Sequence, residues 1–242
     1  MQGRTPTAIV TGASRGLGLA LAGGLRQRGW ALVIDARHPE GLRDAVLELQ
    51  GANPSEAPLV AIPGDVSDPV HRLALVEAAR GLGGLELLVN NAGVLGPSPL
   101  PPLADYPLDG LREVVEVNLV APLALFQATA DLLRAAPGGG RVVMVTSDAA
   151  VEAYPGWGGY GAAKSAVEQM AAVLAAEEPG LRVWWMDPGD LRTRMHQEAF
   201  PGEDISDRPL PDTVVAPFLR LIDSGRASGR VRLADVDDTG SS

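Results

Sequence analysis

Short apolar runs rich in β-branched residues alternate with longer, helix-forming stretches along almost the whole chain of 242 residues. Strands that are apolar along their length, separated by helices, predict a doubly wound parallel sheet with helices on both faces, an α/β fold. The predicted strands, of which the last is weak, are residues 7–11, 31–35, 59–63, 87–90, 141–146, 181–186 and 230–233. The predicted helices are residues 16–28, 41–50, 69–81, 108–135, 159–177 and 212–223.

No linker and no internal repeat divides the chain, so residues 1–242 are expected to form one domain. Residues 195–211 are polar and irregular, and they are long enough for a functional loop, so a substrate loop is expected over residues 194–212. The tail, residues 235–242, is small and acidic and is expected to be disordered.

The composition excludes several classes of function. A net charge of −10 argues against nucleic acid and anionic membranes as partners. The chain has no Cys, which rules out disulfides and thiolate catalysis, and His38, His71 and His196 lack metal-ligand spacing, so no metal is expected. We find no signal peptide and no apolar run near the ~20 residues of a membrane span, which makes a cytoplasmic protein the expectation.

A glycine-rich segment, Thr11-Gly12-Ala13-Ser14-Arg15-Gly16-Leu17-Gly18, joins the first predicted strand to the first predicted helix. Small residues let the backbone turn tightly and approach a pyrophosphate, and the helix N-terminus then offers free N–H groups and the positive end of its dipole. The alternative is a glycine-rich helix start that serves packing alone. The flanking strand and helix favour dinucleotide binding.

Tyr160 and Lys164 are four residues apart on one predicted helix, and therefore share one face of it. Lys164 is the single lysine of a chain that otherwise uses Arg, and a compact ammonium reaches small targets that a guanidinium cannot. We expect this cation, with the helix N-terminus, to lower the pKa of Tyr160 so that it can exchange a proton. Ser147 ends a predicted strand, at the edge where doubly wound folds bind ligands, and its hydroxyl can hold a substrate oxygen.

Together these motifs resemble the short-chain dehydrogenase/reductase family, in order and in approximate spacing, over residues 7–193. The resemblance implies a Rossmann-like fold that interconverts a carbonyl and an alcohol by hydride transfer, with Tyr160 as general acid and base. It also implies that Asn118 is a fourth catalytic residue, holding a water that links Lys164 to solvent. The motifs that carry it are the glycine-rich segment, Asn90-Asn91-Ala92-Gly93, Asn118, Ser147, Tyr160-x-x-x-Lys164 and Pro188-Gly189.

The same resemblance places the cofactor along the chain. Asn91, Ala92 and Gly93 are implied to lie along the adenosine side, although Asn90 can equally serve the sheet. Asp65 and Val66 resemble the pair that contacts the adenine ring. Pro188, Gly189 and Thr193 resemble the segment that holds the nicotinamide carboxamide.

Two interpretations compete for the choice between NAD and NADP, which depends on the end of the second strand. An acid there binds the ribose hydroxyl of NAD, whereas an Arg accommodates the additional phosphate of NADP. Asp35 would select NAD if it reached the ribose, but the acid position usual in the family falls on Ala36. Arg37 and Arg15 match basic positions of family members that use NADP. We therefore expect NADP, because Arg–phosphate hydrogen bonds are strong.

The substrate is expected to be a small, partly apolar carbonyl or alcohol compound, next to Leu95, Tyr154, Trp157 and Met195. Asp148 and Asp187 depart from residues usual in the family, and Asp148 is interpreted as solvated. The region after Thr193 departs most, so the expected homodimer or homotetramer rests on the two long helices, residues 108–135 and 159–177. A cofactor-binding sensor with little turnover is the alternative, against which the complete catalytic set argues. An epimerase or dehydratase needs a larger substrate domain than this chain offers.

Overall fold

The centre of the molecule is one sheet of seven parallel strands, seen in a computed structural model that describes residues 4–52 and 55–236. The strands are β1 (Thr7–Val10), β2 (Ala31–Ala36), β3 (Leu59–Pro63), β4 (Leu87–Asn90), β5 (Arg141–Val145), β6 (Arg182–Asp187) and β7 (Gly229–Arg232). Their order in the sheet is β3-β2-β1-β4-β5-β6-β7. This arrangement confirms the predicted doubly wound α/β fold.

Helices cover both faces of the sheet. They are α1 (Gly16–Gln27), α2 (Pro39–Ala52), α3 (Pro69–Gly81), α4 (Leu108–Val115), α5 (Ala121–Arg134), α6 (Gly158–Glu177), α7 (Arg194–Ala199) and α8 (Val215–Asp223). A π-helical turn, Glu116–Val120, connects α4 to α5, so the predicted helix over residues 108–135 is continuous but irregular in its middle.

Two apolar cores lie on opposite faces of the sheet because successive strand residues point in opposite directions. In β1, Ala8 and Val10 face the core built with α1 and α8, whereas Ile9 faces the core built with α3, α5 and α6. Trp184 and Phe218 are fully buried in the first core, where each contributes on the order of 1.5–3 kcal/mol by leaving water. Both faces are therefore closed, and ligands have access at the strand ends.

The strand order reverses beside β1, and this reversal positions the site. The chain builds β1, β2 and β3 outward in one direction and then returns to place β4 on the other side of β1. Loops that leave β1 and β4 therefore diverge at the carboxyl edge and leave a crevice, which is where doubly wound folds bind ligands.

Three segments differ from the sequence-based predictions. Residues 195–211, predicted to be irregular, begin as α7, because the Thr193 hydroxyl caps its first turn by accepting from the His196 N–H at 3.2 Å. The helix predicted over residues 212–223 begins as a 3₁₀ turn, Pro211–Val214, before α8. Most of the predicted disordered tail lies outside the described residues, and Asp235 ends a 3₁₀ turn.

The helical stretch Leu108–Arg134 is long and apolar enough to span a membrane by length and composition, and it is the single such stretch in the described ranges. Half of the 18-residue window that meets this criterion is buried within the domain. Leu125, Leu133 and Phe126 belong to the core that α3, α5 and α6 share, so the stretch behaves as a core helix.

Candidate active site

A cleft of about 850 Å³ opens at the carboxyl edge of the sheet. It is bordered by every residue that the sequence assigned to the cofactor: Gly12, Ser14, Arg15, Gly16, Leu17, Gly18, Arg37, Asp65, Val66, Asn91, Ala92, Gly93, Tyr160, Lys164, Pro188, Gly189 and Thr193. Ser147 and the four predicted substrate residues, Leu95, Tyr154, Trp157 and Met195, also border it. Of the predicted site residues, Asn118 alone does not.

The glycine-rich loop is fixed by partly buried hydrogen bonds to neighbouring residues. Gly12 has a φ of +66°, a left-handed conformation that favours glycine, and its N–H donates to Asp35 Oδ1 at 2.7 Å. The Asn91 side chain donates to the Thr11 carbonyl oxygen at 2.8 Å, which ties the loop to the one that follows β4. The loop is therefore held in shape by the protein itself.

The N-terminus of α1 is suited to hold a pyrophosphate. In the described part of the chain no side chain caps this helix, and its first turn contains no acid, so its N–H groups and dipole face the cleft unopposed. A Cβ on Gly18 would lie 2.5 Å from the Gly12 carbonyl oxygen, so the tight approach of helix and loop requires glycine there. Arg15 lies exposed at the cleft beside this helix end. These features fit a dinucleotide.

Asp35 holds the glycine loop from below. Its carboxylate is 1% exposed, and besides the Gly12 N–H it binds His71 Nε2 at 2.9 Å. Although Asp35 borders the cleft, a carboxylate so buried and already paired offers little surface to a ribose. Ala36 leaves room at the strand end, and Arg37 is exposed at the cleft wall. The geometry therefore favours the interpretation in which Arg37, and not Asp35, selects the cofactor.

Asp65 and Val66 form the far wall of the same end. Partial burial works to raise the pKa of Asp65, but hydrogen bonds from Ser67 N–H and Oγ, with the charge of Arg37, outweigh it and hold that pKa below its usual value. Asp65 is thus both a turn residue, through its hydrogen bonds to Ser67, and a neighbour of Arg37.

Tyr160 and Lys164 meet below the centre of the cleft. Tyr160 is the third residue of α6, which confirms its predicted position in the first turn. The Lys164 ammonium donates to the Val145 carbonyl oxygen at 2.7 Å and lies 5.5 Å from the centre of the Tyr160 ring. Both side chains are buried, at 8% and 5% exposure, so their charges are poorly solvated.

The expected lowering of the pKa of Tyr160 is wrong in this structure. Burial raises that pKa above its ordinary value, and the carboxylates of Asp148 and Asp187 raise it further. Burial also lowers the pKa of Lys164 to about 8. Tyr160 is therefore held as the neutral phenol, the form that gives a proton to a substrate oxygen.

Ser147 lies at the end of β5 and is anchored to the residues that follow it. Its hydroxyl oxygen accepts from the Ala149 N–H at 3.2 Å and lies 2.8 Å from Asp148 Oδ1. The adjacent carboxylate of Asp148 also accepts from the Tyr154 hydroxyl at 3.0 Å. Asp148, interpreted from sequence as solvated, is in fact a half-buried part of the cleft wall.

Asn118 lies in the π-helical turn and is 1% exposed. Its amide binds the backbone of Val94 in both directions, accepting from the N–H and donating to the carbonyl oxygen, each at 2.8 Å. In this structure the side chain holds the loop that follows β4. The water link to Lys164 stays a prediction.

An apolar wall closes the substrate end. Leu95 and Tyr160 pack there with Trp157, Met195 and Phe200 in one cluster. The Trp157 ring meets the Tyr160 ring edge-on at 5.7 Å and lies 6.0 Å from the Phe200 ring. The segment that begins at α7 is thus partly anchored by burial, which the sequence reasoning did not expect.

Arg230 in β7, which no sequence motif indicated, links residues that follow β5 and end β6 to α6. Its guanidinium binds Glu168 Oε1 at 2.9 Å, Asp187 Oδ2 at 3.1 Å and the Ser147 carbonyl oxygen at 3.2 Å. Partial burial works to lower the pKa of Arg230, but Glu168 and Asp187 outweigh it and raise that pKa. The sequence of the weak final strand does not indicate these contacts. They depend on the parallel pairing of β7 with β6, in which Arg230 lies beside Trp185.

Metal-binding residues do not gather at the cleft. Across residues 4–52 and 55–236, no three His, Asp or Glu side chains are grouped so that they could hold a metal ion. His71 is paired with Asp35 instead.

The fold and the cleft define a dinucleotide-dependent oxidoreductase, and Ser147, Tyr160 and Lys164 border the same cleft. The chain belongs to the short-chain dehydrogenase/reductase family, since the family model described as short chain dehydrogenase matches residues 6–204. It is 36% identical over 200 residues to sepiapterin reductase of Mus musculus, an alignment that covers 79% of this chain and 76% of that one. It is accordingly an NAD(P)-dependent oxidoreductase that acts on carbonyl or alcohol groups.

Solved structures share the fold over nearly the whole chain. A short-chain dehydrogenase from Shigella flexneri complexed with NADP superposes with a TM-score of 0.86 at 27% identity and covers 97% of this chain and 100% of that one. Another from Escherichia coli CFT073, complexed with NADPH, gives a TM-score of 0.86 at 28% identity over 94% and 96% of the two chains.

Proposed function

We propose that this protein is an NADP-dependent reductase of ketones or aldehydes, with Tyr160 as the general acid. The observation that carries the proposal is the meeting, in one cleft, of Ser147, Tyr160 and Lys164 with an uncapped helix end flanked by two arginines. The NADP and NADPH complexes of the similar structures support the choice of cofactor.

The residues of the cleft fit the parts of NADP(H) in order. The N–H groups of α1 and Arg15 would hold the pyrophosphate, and Arg37, beside the small Ala36, would hold the ribose phosphate. Residues from Pro188 to Thr193 would hold the carboxamide at the other end. When bound, the cofactor supplies the hydride to the carbonyl carbon.

The proton comes from the protein. As the carbonyl oxygen gains negative charge, the Tyr160 phenol gives it a proton, and the alcohol forms with one hydride and one proton added. Lys164, charged below about pH 8, stabilises the phenolate that remains. Ser147 can donate to the same oxygen. Because the pKa of Tyr160 is raised, the phenol carries its proton at neutral pH and can donate it when NADPH and a carbonyl compound are bound.

A panel of ketones and aldehydes offered with NADPH and with NADH, followed at the nicotinamide absorbance, tests the proposal. We expect oxidation of NADPH with at least one aromatic or branched carbonyl, with NADH used less well. Tight NADPH binding without turnover of any carbonyl would contradict the proposal and support a sensor. A preference for NADH would contradict the role of Arg37.

A further inference from the structure

We infer that Asp148 selects substrates that carry a hydrogen-bond donor, a hydroxyl or an amino group, on the carbon next to the reacting carbonyl. The inference rests on the proposed reductase function and names its substrate class. The inference is based on the one hydroxyl proton of Ser147 and on the hydrogen bond that this proton makes with Asp148.

The Ser147 hydroxyl has one proton to donate. An ionised carboxylate can only accept, so the 2.8 Å contact between Ser147 Oγ and Asp148 Oδ1 uses that proton. The Ala149 N–H, which donates to both Ser147 Oγ at 3.2 Å and Asp148 Oδ1 at 2.8 Å, fixes the two oxygens side by side. In this arrangement Ser147 has a lone pair to offer a substrate but no proton.

A carbonyl oxygen needs the opposite, because it accepts and does not donate. Ser147 can support it only if its hydroxyl turns away from Asp148, and the carboxylate must then be satisfied in another way. A hydrogen-bond donor on the substrate can satisfy the Asp148 carboxylate. Its hydrogen bond partly neutralises the carboxylate and so weakens the hydrogen bond between Asp148 and Ser147. A substrate without a donor would bury the carboxylate and leave it short of a partner, which is costly.

The surroundings of Asp148 suit an exchange of partners. The three hydrogen bonds of its carboxylate come from neutral groups, and among the described residues no ion pair includes it. The second oxygen, Oδ2, is held by the hydroxyl of Tyr154, a side chain that is 45% exposed and can therefore move aside. Asp148 lies one hydrogen bond beyond Ser147, so a donor one carbon away from the carbonyl falls within its reach.

Two matched ketones test the inference: α-hydroxyacetophenone and α-methoxyacetophenone, reduced with NADPH. The first has the donor and the second does not. We expect kcat/KM to be about tenfold or more in favour of the hydroxy ketone, as for a hydrogen bond to a charged group. In Asp148→Ala the ratio should fall to about one, with the methoxy ketone reduced at least as well as by the unmodified protein.

Glu152→Ala is the matched control, because it removes an exposed carboxylate four residues away that does not border the cleft. It should keep the original ratio. A ratio that is unchanged in Asp148→Ala would overturn the inference.

A binding measurement separates this result from a failure of the proposed function. Phenylethylene glycol and its primary methyl ether, titrated into the protein–NADPH complex by calorimetry, report the same donor without any turnover. We expect the unmodified protein to bind the glycol more tightly than the ether, and we expect this difference to be lost in Asp148→Ala. Turnover of neither ketone would contradict the reductase function, while equal or absent binding of the two alcohols would overturn the role of Asp148.

Discussion

The two halves of the cleft are built by different means. At the half formed by β1, β2 and β4, the protein presents main-chain N–H groups, and the side chains of Asp35, which is buried, and Asn91, which is partly buried, hold that backbone in place. At the half formed by β5, β6 and β7, side chains line the cleft, and Arg230 links the strand ends. Main-chain N–H groups are present whatever the side chains are, so many sequences can bind the same ligand in this way. Where side chains line the cleft, the choice of substrate depends on single residues.

The largest expected effect lies in the second half. Tyr160→Phe should lower turnover by at least ~10²-fold, the usual loss when a general acid is removed, while NADPH binding is largely kept. Steady-state rates and a cofactor titration measure the two separately.

Tyr106→Phe is the matched control for that variant. The Tyr106 hydroxyl is buried, has no hydrogen-bond partner within the described residues and does not border the cleft. Turnover in Tyr106→Phe should be unchanged. Near-normal turnover in Tyr160→Phe would remove Tyr160 from the mechanism.

The first half is tested through its exposed arginines. Arg37→Ala should weaken NADPH binding by about 1.5–3 kcal/mol, roughly 10- to 150-fold, because a charge-assisted contact to the phosphate is lost. Adding Arg15→Ala should weaken it further, while NADH binding changes little after Arg37→Ala.

Arg43→Ala removes the same charge from an exposed position that does not border the cleft, and should leave both affinities unchanged. Equal loss of NADPH and NADH affinity in Arg37→Ala would show that Arg37 does not read the ribose phosphate.

The rate should depend on pH through Lys164, which borders the cleft and lies beside Tyr160. Burial lowers its pKa to about 8, so the ammonium is present below that pH and is lost above it. We expect kcat/KM for carbonyl reduction to fall as the pH rises through about 8. A profile measured with NADPH that stays flat to pH 9 would separate Lys164 from the chemical step.

The smallest effect concerns mobility in the substrate half. Residues 201–210 are mostly exposed, whereas Ala199 and Phe200 pack in the cluster with Tyr160. Amide hydrogen exchange should therefore be faster in residues 201–210 than in α7, and should slow when NADPH and an alcohol product are both bound, as for a lid. Strong protection of the whole segment without ligand would argue for a fixed loop.

Much of the cofactor half could be predicted from sequence, because its constraints are local. The glycine-rich segment and Arg37 come directly after strands in the chain, and the ends of strands can be predicted from apolar runs. The face of the sheet to which Asp35 points was also predictable, since successive side chains along a strand point to opposite faces. Its partner His71 was not, because it comes from a separate helix.

The substrate half could be predicted less well. Ser147, Tyr160 and Lys164 have a recognisable spacing, but the contact of Arg230 with Asp187 depends on the order of the strands in the sheet. The pKa of Tyr160 was predicted in the wrong direction because the sequence shows the nearby cation and not the burial or the carboxylate of Asp148. The anchoring of Phe200 likewise depends on tertiary packing.

Hydride transfer from NADPH to a carbonyl carbon is the reaction that we propose for this cleft. NADPH that carries deuterium in place of both hydrogens at the reacting nicotinamide carbon, incubated with the protein and a reactive ketone, tests it by mass spectrometry of the alcohol. We predict one deuterium on the carbinol carbon, formed by the unmodified protein and at least ~10²-fold more slowly by Tyr160→Phe. An alcohol without deuterium at that carbon, or one formed equally fast by both proteins, would contradict the account.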